Sequence, residues 1–538
     1  MTDHHRSRTA ALRHLADGDN RFDVIVVGGG ITGAGIAREA AGSGLRTLLV
    51  EQRDFAWGTS SRSSKMVHGG LRYLGSGQYR LTRDAVRERQ RLLVEAPGLV
   101  EPLPFVMPHF RKQFPGPRLF GALLWLYDLI AGKRTRRRLT AAETLQWVPG
   151  LAPTGLTAGS VFTDAVTDDA RLVQRTLEEA SHDGAVCINY LQVREVLREH
   201  GQARGVILAD QAQADANPTE YSAHGKVVIN ATGVWASQLL DSEKRIRPLR
   251  GSHLVLARSA LPVSCSVSLL HPDDGRPVFA FPWHGATVLG TTDLDHHTPL
   301  LKEPRITGPE VAYLLKIAAT LFPGRPIGAN DILSSWAGVR PVVSSGDDKS
   351  PSRENREHVI WDEGGLVTVA GGKLTTFRLI AREVLERSRP YLDCPALRPD
   401  QQPVFSASPP RQRPSGISHQ TWRRLSGFYG PQLDEVLQAG PTEPVATTNT
   451  LWAEVVWAAA HTDVVHLDDL MLRRTRLGLI LPDGGQAILP RLHNLCAPVL
   501  GWDDARWQTE VKRYQALWQS AYAPPPSAGD AESAGGDA

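Results

Sequence analysis

Three glycines, Gly28, Gly30 and Gly33, stand in G-x-G-x-x-G spacing directly behind the apolar run Asp23 to Val27. The chemistry open to such a turn is pyrophosphate binding. Gly28 permits the tight turn, Gly30 lets the backbone approach the phosphates, and Gly33 lets strand and helix pack closely with the helix N-terminus facing the anion. Glu51 ends the next apolar run, about 20 residues on, where a carboxylate accepts hydrogen bonds from an adenosine ribose.

The turn alone serves FAD and NAD equally, so the other small-residue loops decide. Thr59 to Leu74 is dense in hydroxyls and glycines: Ser60, Ser61, Ser63 and Ser64, then Lys65, His68, Gly69 and Gly70. Such a loop can hydrogen-bond a diphosphate and ribityl chain while bare backbone approaches a flat ring, although in isolation it also reads as a flexible serine-rich connection. Ala231-Thr232-Gly233 and Gly371-Gly372-Lys373-Leu374-Thr375 follow two further apolar runs, the second leading into a helix. Three such loops suit FAD better than NAD.

The elements that must position these loops are short buried strands alternating with helices, at Asp23 to Gly28, Thr47 to Glu51, Lys226 to Asn230 and Leu366 to Ala370. From Ser252 to Asp293 the texture changes to alternating strands, with a hairpin turn expected at His284-Gly285. The fold expected is an α/β FAD-binding, Rossmann-like domain with an inserted antiparallel-sheet substrate domain, plus a mostly helical C-terminal domain. Residues 21–100, 155–240 and 335–390 are assigned to the FAD-binding domain and 101–154 and 241–334 to the substrate domain. Residues 1–20 read as a flexible extension, 391–415 as a linker, 416–523 as the helical domain and 524–538 as a disordered tail.

Composition narrows the classes further. With 538 residues, 41% apolar and 22% charged, the chain is globular and multidomain. A net charge of +3 gives no general case for a nucleic-acid partner. Cys187, Cys265, Cys394 and Cys496 are scattered without metal-ligand spacing, which fits a reducing cytoplasm and no metal site. The first 20 residues lack the apolar core of a signal peptide, and the strongest apolar run, Leu119 to Ile130, is too short to span a bilayer.

At this level of detail the chain resembles the FAD-dependent glycerol-3-phosphate dehydrogenases, within the wider D-amino-acid oxidase and glycine oxidase group of flavoproteins. The resemblance runs through GGGITGAGIAREAAGSGL, TSSRSSKMVHGGLRYL, FTDAVTDDARLV, INATGVWA, RGSHLVL, LGTTD, WAGVRP and GGKLTTFR in order, and more loosely through LMLRRTRLGL. It implies oxidation of sn-glycerol 3-phosphate to dihydroxyacetone phosphate, with electrons passed on to membrane quinone. It places Arg72, Tyr73, His253, Arg340 and Lys373 at the substrate and Gly338 beside the cofactor. A further arginine falls where the sequence departs from the family pattern, and Arg356 is preferred to Arg353. Arginine suits a phosphate dianion because its planar fork binds two oxygens at once, while lysine acts as a point charge. The alcohol proton needs an acceptor with a pKa near the working pH, and His253 is the first candidate, with His68 as rival and Arg340 assisting.

A quinone-linked enzyme must reach the bilayer. Arg118 to Ile130, followed by the basic run Lys133 to Arg138, suits peripheral attachment to the cytoplasmic face of the inner membrane, and equally suits a core helix with a solvated end. A homodimer is a further expectation. Two other functions stay open: a flavoenzyme using O2 on glycerol 3-phosphate, an amine or a 2-hydroxy acid, and a flavin-binding regulator without catalysis.

Overall fold

Five strands, Val186–Ile188, Thr47–Val50, Arg21–Val27, Glu220–Asn230 and Leu366–Ala370, lie side by side and parallel in a computed structural model. It describes residues 7–18, 20–75, 77–212, 218–240, 246–343, 357–393 and 396–525; the side chain of Arg72, and Arg353, Arg356, Cys394 and residues 526–538, lie outside the described residues. Val24, Val26, Leu48, Leu49, Val227 and Ile229 are fully buried, as parallel strands covered on both faces require. The helix Ile31–Ala41 covers one face, and its Gly35 allows the close approach of Phe377: a Cβ there would stand 2.7 Å from that ring. Gly28, Glu51, Ala231 and Gly371 each follow the carboxyl end of one of these strands, so four loops converge on one edge of the sheet. Ligands of open α/β sheets bind at such an edge.

The second sheet has ten strands and is mostly antiparallel, with one parallel pair between Ser266–Leu270 and Val100–Phe110. Near one end of this sheet the strand Ile246–Leu256 carries Ile332–Val343 on one edge and Ala286–Gly290 on the other. Pro277–Trp283 and Ala286–Gly290 are joined through His284 and Gly285, whose φ values of 46° and 81° are those of a two-residue hairpin turn.

Four assignments differ from the sequence reading. Leu156–Thr167 pairs with Val100–Phe110 along its length, and Ile332–Val343 with Ile246–Leu256, so both belong to the second sheet and not to the cofactor domain. Apolar periodicity identifies a strand but not its partner. The N-terminal extension is not simply solvated: Arg8–Ala16 is a helix capped by Ser7 that buries Ala11, Leu12 and Leu15. The 391–415 segment is no free linker either, because Val404 and Phe405 are buried, Val404 N–H donates to Glu95 and Ser406 N–H donates to Glu179.

Beyond it, His419–Tyr429, Trp452–His461, Leu489–Leu500 and Asp504–Ala521 form the helical domain, whose core is continuous with that of the first domain. Among the described residues no helix is long and apolar enough to cross a membrane.

Candidate active site

The four loops open into a cavity of about 760 Å³ that runs between the two sheets. At one end Gly28, Gly30, Glu51, Ala231, Thr232 and Gly233 line it. Glu51 is turned by two backbone donors, Gly29 N–H at 2.7 Å and Arg53 N–H at 2.9 Å, and burial pushes its pKa up. Ser60 Oγ accepts from Ile31 N–H at 2.9 Å, so a cavity-lining hydroxyl sits at the N-terminus of the helix that follows the glycines.

The glycines fit a dinucleotide on steric grounds. Gly28 has φ 114°, and a Cβ there would come 2.6 Å from the Ala231 carbonyl oxygen. Gly33 does not line the cavity but packs beneath it, where a Cβ would fall 1.9 Å from the Gly28 carbonyl oxygen. Trp235, also on the cavity wall, presents a buried indole N–H that has no acceptor among the described residues, a donor suited to a ligand.

Farther along, Ser63, Ser64, His68, Gly70 and Tyr73 line one wall, and Gly338, Gly371, Gly372, Lys373, Leu374 and Thr375 line another. Thr375 Oγ1 donates to the His68 carbonyl at 3.3 Å, joining the two loops. Three other members of the serine loop point away from the cavity. Ser61 and Lys65 are buried behind it, with Lys65 Nζ donating to the Ser61 carbonyl at 2.6 Å and pairing with Asp169 at 2.9 Å. Gly69 N–H donates to Asp164 at 3.1 Å.

Arg276, Arg340 and Lys373 also line the cavity, the two arginines through one carboxylate. Arg340 Nη1 pairs with Asp293 at 3.0 Å and its Nη2 donates to Thr291 at 3.2 Å. Arg276 Nη2 pairs with the other oxygen of Asp293 at 2.9 Å, and its Nη1 donates to the Asp293 carbonyl at 3.0 Å. One buried carboxylate thus holds two guanidiniums on the cavity wall. Lys373 Nζ lies 3.6 Å from the centre of the Tyr73 ring, which is 6.1 Å from that of His68.

Arg276 and Asp293 were missed as functional residues. A cation at the start of an apolar alternating strand was the available signal for the first. His253 departs from its expected place: it is buried, absent from the cavity lining, and reaches it only through Ser64. Burial, with the Arg340 and Lys65 charges nearby, holds its pKa well below the usual histidine value. Arg72 and Arg356 lie outside the described side chains.

Residues 23–387 match the FAD dependent oxidoreductase family, and residues 371–507 match the C-terminal domain of alpha-glycerophosphate oxidase. The chain is 33% identical over 536 residues to glycerol-3-phosphate dehydrogenase 2 of Mycobacterium tuberculosis, covering 95% of this chain and 90% of that protein. The chain belongs to the FAD-dependent glycerol-3-phosphate dehydrogenase family. Aerobic glycerol-3-phosphate dehydrogenase of Bacillus subtilis is 39% identical over 402 residues, 73% of this chain and 71% of that one.

Among solved structures, a glycerol-3-phosphate dehydrogenase from Bacillus halodurans complexed with FAD superposes with a TM-score of 0.74 at 26% identity, covering 96% of this chain and 98% of that one. L-alpha-glycerophosphate oxidase from Mycoplasma pneumoniae with FAD bound shares the fold at a TM-score of 0.56 and 20% identity, covering 72% of this chain and 99% of that one. The cofactor of this family member is FAD, as the three small-residue loops imply.

Proposed function

We propose that this family member oxidises sn-glycerol 3-phosphate to dihydroxyacetone phosphate and passes the electrons to a membrane quinone. The observation that carries the substrate is the Arg276–Asp293–Arg340 arrangement, opening with Lys373 into the same cavity as the FAD loops. Guanidinium and ammonium groups of this kind recognise a phosphate dianion. FAD, when bound, supplies the hydride acceptor.

The chain's own residues then have separable tasks. Arg276, Arg340 and Lys373 hold the phosphate, with Arg72, Tyr73 and Arg356 the further substrate residues that the family resemblance implies. His68, which lines the cavity, takes the hydroxyl proton, because His253 is sealed behind Ser64. His253 instead orients the Ser64 hydroxyl.

Contact with a bilayer is supported by the helix Pro117–Ala131. It buries Phe120, Leu124 and Tyr127 but leaves Leu119, Trp125 and Leu129 exposed at 55%, 54% and 63%, with Phe114 just before it at 77%. Soluble surfaces rarely expose so many large apolar groups together. Arg118, Lys133 and Arg134 flank them, while Arg136 and Arg137 are engaged by Asp128 and Glu143. From this exposed apolar helix and its basic flanks we infer attachment at the cytoplasmic membrane face.

The match to the C-terminal domain of alpha-glycerophosphate oxidase favours a second reading, with O2 as acceptor. Turnover with glycerol 3-phosphate and either a soluble quinone or O2 separates the two. Stoichiometric peroxide with no quinone reduction would replace the first by the second.

A further inference from the structure

The serine loop that lines the FAD cavity is held from behind by the helical C-terminal domain. Arg476 is buried at φ 61°, and its Nε donates to Asp168 at 3.1 and 3.2 Å. Its Nη1 donates to the carbonyls of Leu472 at 2.8 Å and Ser61 at 3.3 Å, and its Nη2 pairs with Asp169. Asp169 in turn accepts from the backbone N–H and the hydroxyl of Ser63, at 3.0 and 2.7 Å, and from Lys65 at 2.9 Å. Ser63 is on the cavity wall.

A second tie acts on the residue just before Ser63. Arg62 donates to the Tyr522 hydroxyl at 3.1 Å and pairs with Glu303, and Tyr522 donates to Glu303 at 2.6 Å. Tyr522 follows the last helix, and its carbonyl accepts from Ser335 N–H at 2.7 Å, so the end of the domain is itself fixed to the second sheet.

We propose that Arg476 and Tyr522 are positioning residues for the cofactor: through Asp169 and Arg62 they fix the Ser60 to Lys65 loop in the conformation that binds FAD. Removing the Arg476 charge leaves Asp168 and Asp169 adjacent and buried, with Lys65 still paired to Asp169 and His284 hydrogen-bonded to Asp168. A buried carboxylate that loses its partner reorganises or takes up a proton, and either change releases Ser63. The helical domain then acts on the flavin site without contributing a residue to its wall.

The test is FAD titration of full-length apoprotein, with the visible spectrum of the bound flavin, for Arg476→Gln, Arg476→Lys and Tyr522→Phe. Arg476→Gln is expected to weaken FAD binding by about tenfold or more and to shift the flavin band, with Arg476→Lys recovering part of both. A folded Arg476→Gln protein whose FAD affinity stays within about twofold of the parent, with an unchanged flavin band, overturns the proposal even if its melting temperature falls. Should Arg476→Gln fail to fold, Tyr522→Phe decides, because the Arg62–Glu303 pair remains. Weaker FAD binding with a shifted band upholds the proposal, and unaltered binding and spectrum overturn it.

Discussion

Ser64 Oγ and His253 Nε2 lie 2.9 Å apart, the serine on the cavity wall and the histidine behind it, 1% exposed and stacked on Trp336. This pair separates the two histidines that the sequence nominates for the same proton. Burial holds the His253 pKa well below the usual histidine value, and its ring is engaged with the Ser64 hydroxyl; His68 lines the cavity.

His68→Asn is therefore expected to lower kcat by about 10² to 10⁴, the usual contribution of a general base, and to remove the acid limb of the pH–rate profile. His253→Asn is expected to cost less and to keep that limb. Steady-state rates across pH check both, and the opposite pattern would return the base to His253.

His253 also makes stability depend on pH. Its folded pKa lies below the 6.5 of a free histidine, so the unfolded chain takes up the proton first as pH falls. Above 6.5 the group contributes no pH dependence; below it, stability is lost until the folded pKa is reached, with a slope of up to about 1.4 kcal/mol per pH unit. Urea unfolding of the parent and of His253→Gln at stepped pH should show a shallower acid decline in the variant. Identical declines would mean the buried ring is not neutral.

Arg276→Ala is expected to raise KM for glycerol 3-phosphate about tenfold or more, since hydrogen bonds to charged groups contribute on the order of 1.5–3 kcal/mol. Activity on unphosphorylated glycerol, however slow, should change much less. Equal losses on both substrates would remove Arg276 from the phosphate site.

Gly33→Ala is expected to yield protein without bound flavin, because its Cβ would fall 1.9 Å from the Gly28 carbonyl, a backbone atom that has little room to move. Flavin content after purification reads this directly. Normal FAD occupancy would contradict the packing described.

Replacing Trp125 and Leu129 by serine is expected to weaken binding to anionic vesicles more than about tenfold, since burying each side chain contributes roughly 1.5–3 kcal/mol. Co-sedimentation with vesicles measures it, and unchanged partitioning would leave these residues as ordinary surface.

Much of the cofactor site was legible because its parts are local. Gly28, Glu51, Ala231 and Gly371 each follow an apolar run, and the run and the turn are neighbours in sequence. The proposed substrate residues were legible only where a motif carried them, as at Arg340 and Lys373. Arg276 acquires its role through Asp293, a residue of a different segment, and no spacing within either segment announces the pair. His253 shares a strand face with Leu249 and Gly251, which line the cavity, and the Ser64 that stands between its ring and the cavity comes from a distant loop that no local pattern announces. The run Arg473 to Arg476 looks like a charged helix face, yet Arg473, Arg474 and Arg476 are all buried against Asp54, Asp168 and Asp169 from the first half of the chain.

The central claim is that FAD and glycerol 3-phosphate react in one cavity between the two sheets. Anaerobic titration of the holoenzyme with sn-glycerol 3-phosphate tests it most directly. Bleaching of the visible flavin band at about one equivalent, with matching formation of dihydroxyacetone phosphate, is the predicted result. A flavin band unchanged at saturating substrate would contradict it.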